Sequence, residues 1–128
     1  MAYELLKTKS IKCGSASLAS YQFSFVKIGS DGLLALPSAG GYAVGVLQDK
    51  PVAGDPGAVC FPGDITKVMC GAGGFSAGGD VATDASGYAV AATSGHYALG
   101  IALEAGVNGF LATILYQPKA SSGSLAGT

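Results

Sequence analysis

Residues 94–104 read "SGHYALGIALE", and residues 39–49 read "AGGYAVGVLQD". Both place a glycine and a tyrosine ahead of an alternation of large and small side chains. The first alternation sets Tyr97, Leu99, Ile101 and Leu103 against Ala98, Gly100 and Ala102; the second sets Tyr42, Val44 and Val46 against Ala43 and Gly45. A period of two marks a β-strand, because successive side chains point to opposite faces of a sheet. The spacing predicts that Tyr97, Leu99, Ile101 and Leu103 line a core and that the small residues leave a second face nearly flat. A glycine inside a strand costs backbone entropy, so it marks a place where another backbone, sheet or subunit comes close. Ala43, Gly45, Ala98, Gly100 and Ala102 are therefore candidate close-packing faces. Two readings of them stand side by side: a duplicated β motif packing against itself within one chain, or a surface met by a neighbouring subunit.

Short runs of β-branched and aromatic residues closed off by Gly, Pro, Asp and Ser continue on both sides of these stretches, and no amphipathic helix interrupts them. "YQFSFVKI" (21–28) reads as a strand ending at a "GSDG" turn, followed by "LLALP" (33–37) and the loop "QDKPVAGDPG" (48–57). "AVCFPGDITKVM" (58–69) reads as a tight hairpin, with Pro62 presetting one turn dihedral and Gly63 supplying a positive φ. In that hairpin Phe61 pairs with Asp64 and Cys60 faces Ile65, which argues against a Cys60–Cys70 disulfide. A glycine-rich loop (71–80), a "DASG" turn (84–87), "YAVAA" (88–92), an "EAGVNG" turn and "FLATILYQ" (110–117) complete the body. The expectation is an all-β chain, a small single-domain β-barrel or β-sandwich of about eight short strands. The body spans 21–117, preceded by an extended N-terminal arm (1–20) and followed by a flexible C-terminal tail (118–128).

Composition narrows the functions open to such a body. Hydrophobic residues make up 49% of the 128 residues and charged residues 12%, about half the usual charged share. Arginine and tryptophan are absent, and without arginine's planar fork the chain is poorly equipped for nucleic acid or anionic substrates. Its aromatics fall on alternating strand positions with few lysines among them, as core residues do rather than base-stacking ones. A chain so uncharged suits a subunit that spends its life attached to something. Lys7, Lys9, Lys12 and Lys27 stand in the first thirty residues against one acid, Glu4, while the remainder is acidic. A basic arm before an acidic body points to docking on an acidic partner surface. The start of the sequence lacks a charged segment leading into an apolar run, so no secretory signal is expected. No stretch approaches the ~18 apolar residues of a membrane span. Cys13, Cys60 and Cys70, odd in number and without CxxC spacing, suggest reduced buried thiols in a protein made in a cytoplasm.

No catalytic, cofactor or metal site can be named. His96 is the one histidine and has no nucleophile motif beside it; no GxSxG elbow or HExxH pair occurs. "GAGGFSAGGD" lacks the GK[ST] ending of a phosphate loop and reads as a β-turn loop. Asp80 and Asp84 lack the ligand density of a calcium loop and read as turn caps. "GGDVAT" (78–83) is shared with swinging-arm carrier domains, but no lysine sits at a hairpin tip to carry a group; Lys50 is followed by Pro51 in a loop.

From residue 22 to residue 117 the chain is similar to a family of small tailed-phage proteins, formerly a domain of unknown function. The likeness is carried by a "GV" strand leading to the loop "AGDPG" (53–57), by "AGGDVATDASG" (77–87), and by "LGIALE" (99–104). Members are regarded as capsid decoration, or cement, proteins. The resemblance implies a virion protein on the outer capsid surface, without enzymatic activity or cofactor. Its partners would be the major capsid protein and further copies of itself, a trimer being favoured, with no nucleic acid, membrane or small-molecule substrate. On that expectation the arm supplies the capsid contact, through Tyr3, Leu5 and Leu6 as apolar anchors and Lys7, Lys9 and Lys12 as cations. The alternative is a phage tail or fibre component, or a host-surface binding module, to which a small β-domain is equally suited.

Overall fold

The computed structural model describes residues 8–14, 18–60, 63, 65–93 and 95–121, with 8–10 and 119–121 described as backbone. Among the described residues there are ten strands and no helix: β1 (Thr8–Lys12), β2 (Phe25–Ile28), β3 (Leu34–Ala35), β4 (Gly45–Leu47), β5 (Pro56–Cys60), β6 (Ile65–Met69), β7 (Asp80–Thr83), β8 (Ala89–Ala91), β9 (Tyr97–Ala102) and β10 (Leu111–Ser121). They form two antiparallel five-stranded sheets, ordered β1-β5-β4-β2-β3 and β6-β10-β9-β7-β8. The two sheets pack through side chains as a sandwich, and neither closes into a barrel.

The two sheet orders are one order. Adding five to each strand number of the first sheet gives the second, so the chain is two consecutive units built to one plan. Their registers agree: Val26 pairs with Gly45 on β2 and β4, and Val81 pairs with Gly100 on β7 and β9, each residue 55 positions from its counterpart. Cys13 bridges Leu34 in parallel, and Cys70 bridges Ala89 in the same way. The hydrogen bond from Cys13 N to Asp55 O (2.7 Å) recurs as Cys70 N to Phe110 O (3.0 Å). Even a side-chain device recurs: Asp49 Oδ1 accepts from Ala58 N at 3.1 Å, and Glu104 Oε2 accepts from Thr113 N at 2.8 Å. "AGGYAVGVLQD" and "SGHYALGIALE" are therefore the same element, the fourth strand and its flanks, in each unit.

The repeated glycine now has a local cause. A Cβ on Gly45 would run into the Val59 side chain and the Cys60 carbonyl on the neighbouring β5. A Cβ on Gly100 would stand 2.6 Å from Leu115 O and 3.0 Å from Ile114 Cδ1 on β10. In both units the fourth strand approaches the fifth too closely for any side chain at that position. The close neighbours belong to the same chain.

The faces are disposed differently from the expectation. Ala43, Ala98 and Ala102 are buried, whereas Tyr42 (55%), Tyr97 (42%) and Leu103 (48%) are exposed and Ile101 is half-buried. Leu99 alone of the predicted core row is fully buried. The small residues face inward because larger ones fill the space beneath them. Tyr116, paired with Gly100 across β9 and β10, is wholly buried with Ile114. Its ring packs 6.1 Å from that of Phe25, and its hydroxyl donates to Ala43 O at 2.8 Å, joining the second unit to the first.

Each unit contributes a core of its own kind. The first is Cys13, Leu18, Val26, Leu34, Leu47 and Val59, with Ile11, Tyr21 and Leu36 against it. The equivalent residues Cys70, Phe75, Val81, Ala89, Ala102 and Ile114 form part of the second cluster, which also takes in Phe25, Val46 and Cys60 from the first unit. One sheet of the first unit is thus apolar on both faces: one face holds its own core, and the other packs on the second unit. Full burial of a side chain such as Phe25 or Val46 stabilises by roughly 1.5–3 kcal/mol.

Two further expectations are corrected. Residues 58–69 are not a hairpin: β5 and β6 belong to different sheets, and the segment between them carries the chain from one unit to the next. Gly63 does have positive φ (100°) there, and its N–H donates to Tyr116 O at 2.8 Å; Phe61, Pro62 and Asp64 lie outside the described residues. The strand expected over 21–28 begins only at Phe25. Before it the chain turns, through Tyr21 N to Leu18 O and Ser24 N to Tyr21 O (both 3.0 Å), and Phe23 takes a φ of 68°. Its counterpart in the second unit is Gly78, with φ 83°. The three cysteines are buried and none of them is in a disulfide. β1 pairs along its length with β5, and β10 runs on through Ser121.

Gly45→Ala and Gly100→Ala should each destabilise the protein by about 1–3 kcal/mol, because the neighbouring backbone must yield. Urea unfolding with an unchanged m-value would register this, and a midpoint equal to the parent's for both variants would show that the close approach is slack.

Candidate interaction surfaces

Among the described residues, no group of three His, Cys, Asp or Glu side chains is placed to hold a metal ion. The titratable groups that are clustered serve the fold. Asp84 Oδ1 accepts from Ser86 N and Tyr88 N, both at 2.9 Å, and closes the turn before β8. His96 lies against Gly40, where an added Cβ would strike its ring, and Thr93 N donates to its Nδ1 at 3.3 Å. That histidine fills the join between the units' fourth-strand flanks, where Tyr97 N donates to Gly40 O at 3.0 Å. Burial pushes the Tyr116 hydroxyl far above the ordinary tyrosine range, so it stays a donor to Ala43. Burial likewise raises the Cys70 thiol, opposed by a backbone hydrogen bond from Val107.

What the chain offers to a partner is surface. The first surface is the sheet edge at β1. Lys12 is exposed and pairs with Pro56, and Lys9 pairs with Val59 three residues nearer the start of the strand. Of the predicted capsid-contact residues, these two therefore sit on the outermost strand of the first sheet. Tyr3, Leu5, Leu6 and Lys7 lie outside the described residues. An edge strand leaves one row of backbone groups unpaired and is a ready template for another strand.

The second surface is built on the exposed tyrosines. Tyr42 and Tyr97, equivalent residues of the two units, meet edge to face with ring centroids 6.0 Å apart. Beside them a shallow groove of about 310 Å³ is lined by Lys27, Ile28, Ser38, Gly41, Tyr42 and Val44. The tyrosines were legible in the sequence but assigned to the core; period-two spacing identifies a pair of faces without saying which is inside.

The third surface is the outward face of β6, β10 and the end of β9. Ile65 (59% exposed), Leu103 and Leu111 (43%) lie there with half-buried Met69, Ile101 and Leu115. One ion pair crosses it, Lys67 Nζ to Glu104 Oε2 at 3.6 Å, with both side chains half exposed. The Thr113 hydrogen bonds, aided by Lys67, hold the Glu104 carboxyl below the ordinary range. Sequence reasoning missed this face because its residues come from three strands, one of which, β6, was read as part of a hairpin with β5.

No protein-family profile and no curated protein sequence matches the chain. A solved structure does match: the head fiber gp8.5 N base of bacteriophage phi29 superposes with a TM-score of 0.69 over 87% of this chain and 95% of that one. The two share a fold at 18% sequence identity. The superposition covers nearly all of the phi29 domain.

A lowered carboxyl pKa means that the Glu104 contribution is present above the unfolded carboxylate pKa and is lost as pH falls through the folded one. Urea midpoints followed downward through that range should fall less steeply for Glu104→Gln than for the parent. Parallel curves would show that the Glu104 contacts do not contribute to the acid dependence.

Proposed function

We propose that the chain is a structural virion protein that binds the outer surface of a phage capsid and cements neighbouring major capsid protein subunits. The observation that carries this reading is the fold shared with a phage head fiber base over almost the whole of both chains. The surfaces described above support it, since shell binding needs apolar contact area and no chemistry.

The role asks for several weak contacts made at once. A standard interface buries about 1,600 Å², more than one short edge strand supplies. A homo-oligomer, with a trimer favoured, would gain avidity because its second and third contacts become effectively intramolecular. The arm before β1 would lie on the shell, with Lys9 and Lys12 continuing its basic charge along the sheet edge. The second reading is a fibre or tail part, or a host-facing module, and the phi29 domain's own description as the base of a head fiber favours it to that extent.

Co-sedimentation with empty shells tests the proposal. The purified protein should pellet with shells at a saturable ratio. Deletion of residues 2–7, which spares β1, should abolish pelleting while the far-ultraviolet circular dichroism stays that of the parent. Undiminished pelleting by the truncated protein would remove the arm from the contact, and failure of the parent to bind shells would sink the cement reading.

A further inference from the structure

The two units do not have the same surroundings. In the first, Phe25, Val46 and Cys60 form a row across β2, β4 and β5, and this row is buried against the second unit. The counterpart row in the second unit is Asp80, Ile101 and Leu115, paired in the same order across β7, β9 and β10. Among the described residues none covers it fully: Ile101 and Leu115 are half-buried, and the row continues onto β6 at Ile65, which pairs with Leu115 and is 59% exposed. Leu103 and Leu111 widen the patch, and Asp80 ends it on the β7 side. The first unit uses this face to dock a five-stranded unit of its own kind, while the second unit presents it uncovered.

We infer that the outward face of β6, β10 and β9 is the surface through which copies of this chain associate. This rests on the homo-oligomer named in the proposed function and gives it a two-fold contact, which closes as a dimer in place of the favoured trimer. Two observations select a second copy as the occupant. The equivalent face of the first unit is already covered by a sheet of the same plan, so the intrachain seam continues into an interchain one. The patch also carries an opposite-charge pair, Lys67 and Glu104, 3.6 Å apart. Two such patches brought together can exchange partners, each lysine meeting the other copy's glutamate, with Asp80 at the rim of each. A partner of one dominant charge would leave either Lys67 or Glu104 opposed.

Light scattering on the full chain, with and without Ile65→Asp and Leu103→Asp together, tests the inference. Both positions are exposed, and circular dichroism and urea midpoints report whether the fold is retained. The parent should be an oligomer and the folded variant a monomer. A parent that is monomeric at high concentration, or a folded variant that keeps the parent's mass, overturns the inference. Independently of any variant, the parent can be mixed as nitrogen-14 and nitrogen-15 copies and joined with a zero-length amine–carboxyl reagent. Mixed-isotope peptides joining Lys67 to Glu104 support the contact; exclusively single-isotope products overturn it. The outcomes separate from those of the shell experiment. A monomer that pellets with shells overturns this inference and leaves the cement reading standing, whereas an oligomer assembled through this face that ignores shells does the reverse.

Discussion

The structure depends on the seam where Tyr116 meets the first unit. Its hydroxyl donates to the carbonyl of Ala43, its ring lies against Phe25, and its own carbonyl accepts from Gly63 in the linker. A tyrosine fits this position because it combines a large apolar body with one donor, and Ala43 O supplies the acceptor that a buried hydroxyl requires. Everything on either side follows from having room for that ring. Ala43, Ala98 and Ala102 are buried, and Tyr42 and Tyr97 stand exposed and meet each other at the surface. The same seam explains why the first sheet is apolar on both faces while the second is not covered on its outward side.

Much of this was legible in the sequence, for identifiable reasons. Strand periodicity and turn chemistry are local, so the all-β class, the Asp84 turn and the β9–β10 hairpin could be read from neighbouring residues. The likeness of residues 39–49 to 94–104 disclosed half of a duplication whose other half is written in hydrogen bonds. Leu34 and Ala89, or Phe23 and Gly78, occupy equivalent places without resembling each other. Pairing between distant strands leaves no local mark, and for that reason "CFPGDI" read as a hairpin although it joins two sheets. Proline and glycine can turn a chain back on its neighbour or send it across to another sheet with the same dihedrals. The inversion of the strand faces has a similar origin: alternation says that two faces differ, and only the side chain opposite, here Tyr116, decides which is inside.

The candidate surfaces were less legible than the fold. Lys9 and Lys12 were singled out as basic residues of an extended arm, and they lie on a strand that completes the first sheet. Their backbone thereby has a fixed place along the sheet edge. The outward patch of the second unit could not have been seen from spacing, because it draws residues from three strands that meet only in the folded sheet. A chain carrying few charges, two like units and one uncovered apolar face has the physical character of a component that works by being joined to others.

The measurement that tests this account most directly is the copy number of the chain in purified virions, determined by quantitative mass spectrometry against the major capsid protein. The proposed role predicts a fixed ratio set by the number of equivalent shell sites, constant from one preparation to the next. A handful of copies per particle would contradict it and point instead to a tail or fibre component, and absence from the virion would contradict both.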